Sequence, residues 1–298
     1  MSDASSSNGP DRDLRVALVQ GDTRWHDPAG NRAYYGGLIA PRAGRTDLVV
    51  LPETFTSGFS NEALANAEDM QGPTVAWIKE QARALDAAVC GSVQLRIEGA
   101  QAESEGIAPG VYNRLLFATP DGALVHYDKR HLFRMAKEHE RYAAGDKRVF
   151  VDWRGWRIFL QVCYDLRFPV YIRNRFDATR PGAFDYDLAL FVANWPAARA
   201  YPWKTLLRAR AIENLAAVIG VNRVGTDGNG IAYSGDSAAL DPLGQPLVEG
   251  DTEARVLEAT FSAEQLRGQP GVPGACQLPG DLQRGDSGPV VQEPPGAP

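Results

Sequence analysis

Residues 158–165 read IFLQVCYD, an apolar run that ends at a cysteine followed by a polar turn. Two other apolar runs also end close to a chemically active side chain, in residues 48–53 (LVVLPE) and 123–129 (ALVHYDK). Such runs predict short buried strands, and clefts form at strand ends in layered α/β folds. We therefore expect Glu53, Lys129 and Cys163 to share one pocket, as a base, a cation for an oxyanion and a nucleophile.

The rest of the chain mixes hairpins with strand–helix units. Pro and Gly favour hairpin turns between strand-like runs at residues 119–122 (TPDG), 154–155 (RG) and 241–244 (DPLG). Helices are predicted over residues 31–39, 74–85 and 203–214. Further strands are predicted over residues 14–20, 87–94, 188–193, 217–224 and 255–261. This combination predicts mixed β-sheets with helices on the outside.

Composition narrows the class of protein. The 298 residues are 44% hydrophobic, which is enough for one large core. The net charge of -6 disfavours a nucleic acid or an anionic membrane as partner. The three cysteines (Cys90, Cys163 and Cys276) are widely spaced and form no metal-binding pair, which is typical of a reducing compartment. Because neither a secretory signal nor a membrane-spanning run is visible, we expect a cytoplasmic protein without a bound metal.

The motifs resemble those of the nitrilase superfamily, the carbon–nitrogen hydrolases that use a Glu–Lys–Cys triad. The resemblance extends over residues 14–261 and rests on the phrases LPETF (51–55), DKRHLF (128–133), CYDLRFP (163–169), ANWP (193–196) and RAIEN (210–214). It is strongest to the ω-amidase branch, whose members act on amides of 2-oxo dicarboxylic acids. The resemblance implies an α/β fold, a four-layer α-β-β-α sandwich, that needs no cofactor and pairs into a homodimer.

The predicted domain organisation is simple. One hydrolase domain spans residues 14–267. A disordered segment, residues 1–13, precedes it, and a Gly/Pro-rich tail, residues 268–298, follows it. The tail offers little apolar surface to bury, so we expect it to be disordered. Family members usually have an ordered C-terminal extension at this point, so the tail is a departure from the family.

The resemblance assigns a role to each triad residue. Cys163 is the expected nucleophile, and a helix N-terminus with nearby cations is expected to favour its thiolate. Glu53 is the expected general base. Lys129 is expected to stabilise the oxyanion together with the backbone N–H of Tyr164.

A second glutamate is expected in the loop after the lysine motif. The family spacing Glu-x6-Gly, counted back from Gly145, selects Glu138, and Glu140 is the alternative. The selected residue is expected to hold Lys129 and to help position the hydrolytic water.

Several further residues are candidates for contacts with a substrate. The expected pocket walls are Phe59, Tyr142, Asn194 and Trp195, although Trp195 could equally be core packing. The candidate cations for a substrate carboxylate are Arg173, Arg199 and Lys204. Val170 stands where many family members carry glutamate, so we expect local repacking of the cysteine loop without loss of the chemistry.

These observations predict an amidase that forms a thioester on Cys163 and acts on a small-molecule substrate such as 2-oxoglutaramate or 2-oxosuccinamate. The alternatives at the same triad are hydrolysis of N-carbamoyl compounds, aliphatic amides or nitriles. A non-catalytic binding protein on the same fold is a further alternative, but all three triad residues are present. A papain-like thiol protease would need a Cys–His pair, and no supporting motif surrounds any of the four histidines.

Overall fold

The apolar runs form two six-stranded sheets in the computed structural model, which describes residues 10–61, 65, 67–177 and 183–268. In chain order the strands of the first half are Leu14–Gln20 (β1), Leu48–Val50 (β2), Ala88–Ile97 (β3), Gly110–Ala118 (β4), Leu124–Asp128 (β5), Phe150–Trp153 (β6), Trp156–Val162 (β7) and Phe176–Asp177 (β8). Those of the second half are Ala183–Phe184 (β9), Leu188–Ala193 (β10), Ala217–Asn222 (β11), Val224–Thr226 (β12), Ala232–Ser234 (β13), Ala238–Leu240 (β14), Pro246–Glu249 (β15) and Arg255–Phe261 (β16).

Both large sheets are mixed, as the sequence predicts. The first has the strand order β16-β1-β2-β3-β4-β5, and the second has the order β15-β14-β11-β10-β7-β6. Parallel pairing occupies the middle of each sheet, between β1, β2 and β3 and between β7, β10 and β11. Antiparallel strands flank the parallel ones on both sides.

Six α-helices are present in the described part of the chain. They are Pro28–Ile39 (α1), Pro73–Leu85 (α2), Gly99–Glu105 (α3), Pro169–Ile172 (α4), Ala200–Asn214 (α5) and Ala263–Gly268 (α6). Short 3-10 helices span Ala40–Arg42, Arg134–Ala136, Glu138–Glu140, Cys163–Arg167 and Ala197–Arg199. Among the described helices, none combines the length and apolar sequence needed to cross a membrane.

Three apolar clusters separate four layers. The central cluster lies between the sheets and includes Val50, Leu160 and Val192. A second cluster packs α1 and α2 against the outer face of the first sheet, and a third packs α5 against the outer face of the second sheet. Helices, sheet, sheet and helices therefore follow one another, and the predicted α-β-β-α sandwich is confirmed.

The central strands β2 and β10 are apolar throughout because both of their faces are covered. In β2, Leu48 and Val50 face the other sheet while Val49 faces the helices. In β10, Val192 faces the other sheet, and Phe191 packs under α5. Polar side chains are thereby moved to the strand ends, where the candidate site residues lie.

The predicted strand over residues 217–224 is divided in two. Strand β11 ends at Asn222, and β12 leaves the sheet to pair with β13. At this exit the Asn222 side-chain amide donates to the carbonyls of Trp195 and Gly235. The short helices α3, α4 and α6 were not predicted, because four to seven residues are too few to establish a helical period.

The folded region begins earlier than the sequence predicts. Residues 10–13, assigned to the disordered segment, lie against the domain. The Trp156 indole donates to the carbonyl of Arg12 over 2.8 Å, and Asp13 accepts from the backbone N–H of Ala263 over 2.9 Å. Residues 1–9, residues 269–298 of the tail and Cys276 lie outside the described residues, so their predicted disorder stays a prediction.

Close contact between β11 and α5 yields a test of the packing. A Cβ atom on Gly220 would lie 2.5 Å from Leu207 and 2.9 Å from Trp203. We expect Gly220→Ala to lower the free energy of unfolding by about 1–3 kcal/mol through overpacking. Gly37→Ala is the matched control, because open space surrounds that glycine in α1. Thermal denaturation of both variants measures the difference, and equal stability would contradict the described packing.

Candidate active site

Glu53 is fully buried just beyond the end of β2, and three donors from other strands hold its carboxylate. Its Oε1 accepts from Lys129 Nζ over 2.9 Å and from Asn113 Nδ2 over 2.8 Å. Its Oε2 accepts from the backbone N–H of Asn194 over 2.7 Å. The side chain of Asn194 adds bonds to the Glu53 carbonyl and to the Thr54 hydroxyl. Glu53 is therefore fixed in one orientation between the two sheets.

Lys129 directly follows β5 and is also buried. Its Nζ lies 2.9 Å from Glu53 and 3.0 Å from Glu138, and 5.3 Å from the centroid of the Phe59 ring. An ammonium group has three N–H donors, and the two carboxylates take two of them. One donor of Lys129 therefore remains for an acceptor in the cleft.

Glu138 is the glutamate that contacts Lys129, whereas Glu140 is exposed. Glu138 is fully buried at the start of the 3-10 helix Glu138–Glu140. Its second carboxylate oxygen accepts from the backbone N–H of Phe133. Glu138 and Glu140 are only two residues apart in the sequence. The backbone turns at Lys137, which has a φ of 58°, and Glu138, the next residue, faces the interior.

Cys163 follows β7 and begins the 3-10 helix Cys163–Arg167. Its φ of 46° is in the left-handed region, which is strained for a residue with a side chain. Thr54, next to Glu53, has a similar φ of 41°. Strained backbone at both strand ends is consistent with a site that directs two side chains into a shared space.

Burial and the charges around Cys163 together set the pKa of its thiol. Burial raises the pKa of Cys163 well above its usual value, the negative charge of Glu53 acts in the same direction, and Lys129 opposes both. The sequence-based expectation of a favoured thiolate is therefore wrong. A thiolate would place a further negative charge beside the carboxylates of Glu53 and Glu138.

The other two ionisable groups respond to the same environment. Burial alone would lower the pKa of Lys129, but Glu138 and Glu53 outweigh that effect and raise it well above its usual value. Burial raises the pKa of Glu138, and Lys129 opposes that rise. Lys129 is thus a permanent cation at neutral pH.

Two buried residues around the triad were not predicted from the sequence. Asn113 donates from Nδ2 to Glu53 over 2.8 Å and to Glu138 over 3.4 Å, and its carbonyl accepts from the backbone N–H of Lys129. Asp165 accepts from the backbone N–H of Val162, just before the cysteine. The sequence carries one signal for Asn113, since it and Arg114 interrupt the apolar residues of strand β4.

The predicted wall residues have different surroundings. Phe59 lies beside the Lys129 ammonium, and Asn194 holds Glu53 as described above. Tyr142 is buried, and its hydroxyl donates to the Ser60 carbonyl and accepts from Gln94. Trp195 is buried and packs against Trp203 with a centroid distance of 5.4 Å. Of its two predicted roles, pocket wall and core packing, this contact corresponds to core packing.

Of the three candidate cations, Arg199 is the one whose contacts lead to the residue after Cys163. Its guanidinium lies 5.2 Å from the centroid of the Phe133 ring, which packs 5.0 Å from the ring of Tyr164. Lys204 forms a half-exposed ion pair with Asp236, and Arg173 is exposed at the end of α4. Tyr164 is the second residue of its 3-10 helix, so no carbonyl within that helix occupies its N–H.

A second cluster of ionisable groups lies outside the triad. Ligand atoms of Glu105, His126 and Asp128 lie within 4.8 Å of one another. However, the buried Arg114 pairs with Glu105 at 2.6 Å and with Asp128 at 2.7 Å. An arginine inside the cluster supplies the charge that a cation would bring, so the cluster is an ion-pair network and not a metal site.

The comparisons with known proteins agree with this geometry. Residues 15–270 match the carbon–nitrogen hydrolase family. The chain therefore belongs to this family, the nitrilase superfamily, and is an enzyme of the carbon–nitrogen hydrolase class. It is 46% identical over 255 residues to the omega-amidase YafV of Escherichia coli, a match covering 85% of this chain and 92% of that protein.

Two further relatives are similar over most of their length. The 2-oxoglutaramate amidase of Bacillus subtilis is 30% identical over 253 residues, covering 84% of this chain and 91% of that protein. The crystal structure of XC1258 from Xanthomonas campestris, a CN-hydrolase superfamily protein with an arsenic adduct in its active site, has a TM-score of 0.84 at 62% identity. That match covers 93% of this chain and 99% of the other.

The charge balance at Cys163 predicts opposite effects of one substitution. Glu53→Gln removes a negative charge, so the pH dependence of Cys163 alkylation by iodoacetamide should shift to lower pH. The same substitution removes the proposed base, so amide turnover should fall by about 100–10,000-fold. Alkylation at Cys163 is followed by peptide mass spectrometry, and turnover by ammonia release.

Glu140→Gln is the control, because Glu140 carries the same charge in the same loop but is exposed. It should leave both measurements unchanged. An alkylation curve that does not move in Glu53→Gln would show that Glu53 does not set the protonation of the thiol.

Proposed function

We propose that this enzyme is an ω-amidase: it hydrolyses the distal amide of small 2-oxo acid amides, such as 2-oxoglutaramate and 2-oxosuccinamate, to a 2-oxo dicarboxylate and ammonia. The observation that carries the proposal is the buried Lys129, which lies between Glu53 and Glu138 and close enough to Cys163 to oppose the rise in its pKa. The similarity to an omega-amidase and to a 2-oxoglutaramate amidase supports the substrate class.

The first half of the reaction forms a thioester on Cys163. Glu53 takes the thiol proton as the sulfur attacks the amide carbon, so that no free thiolate accumulates. Transfer to Oε2 is favoured, because Oε1 already accepts from Lys129 and Asn113 while Oε2 accepts from the Asn194 backbone. The oxyanion accepts from the third N–H of Lys129 and from the backbone N–H of Tyr164. The C–N bond then breaks, and ammonia leaves with the proton held by Glu53.

The second half hydrolyses the thioester. Glu53, deprotonated again, takes a proton from water while the water oxygen attacks the thioester carbon. Lys129 and the Tyr164 N–H stabilise the second oxyanion as they did the first. The C–S bond breaks, and the sulfur recovers its proton from Glu53. Glu138 holds Lys129 during both halves and helps to position the water.

The carboxylate of the substrate needs a cation near the reacting carbon. Arg199 is our candidate, because its guanidinium packs on Phe133 and Phe133 contacts the ring of Tyr164, the residue after the nucleophile. It is half-buried, so a carboxylate can reach it, and its planar group can bind both oxygens. Arg173 and Lys204 lack comparable contacts with the site residues.

A substrate panel tests the proposed function. Ammonia release should be fast with 2-oxoglutaramate and 2-oxosuccinamate and slow with an uncharged amide, an N-carbamoyl amino acid and a nitrile of similar size. Comparable kcat/KM for the uncharged amide would overturn the ω-amidase assignment and leave a general amidase. A larger kcat/KM for the nitrile or the N-carbamoyl compound would favour one of those activities instead.

Variants of Arg199 test the acid end of the substrate. Loss of a charge-assisted contact should cost about 2 kcal/mol at this half-exposed position, so Arg199→Gln should raise KM for 2-oxo acid amides about 30-fold. Its KM for a neutral amide should hardly change. Arg173→Gln is the matched control, since it removes an exposed arginine. If KM instead changes in Arg173→Gln and not in Arg199→Gln, the carboxylate binds at Arg173, at the end of α4.

We also propose that the enzyme is a cytoplasmic homodimer. The support is apolar surface on the outer helices of the second sheet: Val170 on α4 is 80% exposed and Tyr201 on α5 is 79% exposed. Exposed apolar residues of this size are candidates for an interface. A second copy of the chain is the occupant that the family resemblance implies.

We expect the unaltered protein to elute at the mass of a dimer. The double variant Val170→Asp/Tyr201→Asp should elute at the mass of a monomer, because it places two charges on the proposed interface. Met135→Asp is the control, because Met135 is an equally exposed apolar residue outside both helices. Size-exclusion chromatography with light scattering measures the masses. An unchanged mass in the double variant would place the interface elsewhere.

A further inference from the structure

We infer that Asp165 is a positioning residue that joins the turn carrying Cys163 to the strand end carrying Lys129. The inference rests on the proposed function, because it concerns the alignment of the same nucleophile and cation. The Asp165 side chain is fully buried and lies two residues after the nucleophile. Its carboxylate binds groups from both strand ends, β7 and β5, which belong to different sheets.

All four contacts are hydrogen bonds donated to the carboxylate. Oδ2 accepts from the backbone N–H of Val162 over 3.0 Å and from the hydroxyl of Tyr127 over 2.8 Å. Oδ1 accepts from the backbone N–H of His131 over 3.0 Å, and the ring Nδ1 of the same residue lies 2.7 Å away. An ionised carboxylate offers about four lone-pair sites, so these four donors fill it.

The positions of these donors explain how the Asp165 carboxylate can align both Cys163 and Lys129. Val162 immediately precedes the nucleophile, whose left-handed backbone is strained and must be held in place. Tyr127 and His131 lie two residues before and two residues after Lys129. Asp165 therefore fixes the cation from both sides and the nucleophile from its N-terminal side.

The ring of His131 is itself held in place by stacking. It lies parallel to Phe168, with centroids 3.6 Å apart and planes inclined by 9°. Phe168 follows Asp165 at the end of the same 3-10 helix, so the stack and the hydrogen bond connect the same two segments. The segment after Lys129 and the segment after Cys163 thus form one unit between the sheets.

An amide cannot replace this carboxylate. Asparagine has one acceptor oxygen, so two of the four donors would face an NH₂ group instead. Asp165→Asn should therefore let the two strand ends shift relative to each other. A misplacement of about 1 Å between reacting groups can lower the rate about 100-fold. We expect kcat to fall by about that factor with little change in KM, because Asp165 does not touch the substrate.

Alkylation by iodoacetamide separates misalignment from collapse of the site. Cys163 in Asp165→Asn should still react with iodoacetamide at a rate within a few-fold of the unaltered enzyme, since alkylation does not use Lys129 as an oxyanion donor. Equal losses of alkylation and turnover would mean that the site is no longer formed and would overturn the inference. Retention of full kcat would overturn it as well.

Two substitutions of His131 test the clamp if Asp165→Asn fails to fold. His131→Phe keeps an aromatic ring to stack on Phe168 but removes the Nδ1 donor. His131→Asn removes the stack but retains an amide donor near the Nδ1 position. Higher kcat in His131→Asn than in His131→Phe supports the hydrogen-bonded clamp, and the reverse order would assign the effect to packing and overturn the inference.

Every variant is assayed with an amide that the unaltered enzyme hydrolyses. A wrong substrate assignment is then visible in the unaltered enzyme, as activity on other amides. A wrong positioning assignment is visible only in the variants, as unchanged kcat.

Discussion

The site depends on one buried interaction, the ammonium of Lys129 between the carboxylates of Glu53 and Glu138. Burying three charges is costly unless each is paired and hydrogen-bonded. Here the amide of Asn113 binds both carboxylates, and backbone N–H groups of Asn194 and Phe133 complete them. The donors come from β4, the end of β10 and the loop after β5. The sandwich thus brings together, around this ion cluster, segments that are far apart in the sequence.

The same cluster determines how the nucleophile must work. Burial and the negative charge of Glu53 raise the pKa of the Cys163 thiol and Lys129 opposes both, so the site differs from one in which cations alone stabilise a thiolate. Proton transfer from the thiol to Glu53 leaves the total charge of the site unchanged, whereas loss of the proton to solvent would make the site more negative. In the proposed mechanism, attack coupled to proton transfer is therefore the lower-energy route, and this gives Glu53 its role beside Cys163.

Much of the fold and of the triad could be predicted because the signals are local. Apolar runs reveal the strands, and Glu53, Lys129 and Cys163 each lie within four residues of the end of such a run. The roles of Asn113 and Asp165 could not be predicted, because each depends on contacts between strands far apart in sequence. The direction of the thiol pKa was also mispredicted, since a sequence motif shows the neighbouring residues but not their burial or total charge. Glu138 and Glu140 differ only in burial.

One short segment both holds Glu53 and carries the proposed cation for the acid of the substrate. Asn194 holds Glu53, the proposed general base, through its backbone and side chain, while Arg199, five residues later, packs on Phe133. Between them, the Trp195 indole donates to the Arg199 carbonyl over 2.8 Å and packs into the core under α5. Because Trp195 is anchored there, the position of Arg199 is tied to that of Glu53. With Arg199 as the proposed carboxylate site, substitutions there are expected to alter the acid that binds while the buried ion cluster keeps its geometry.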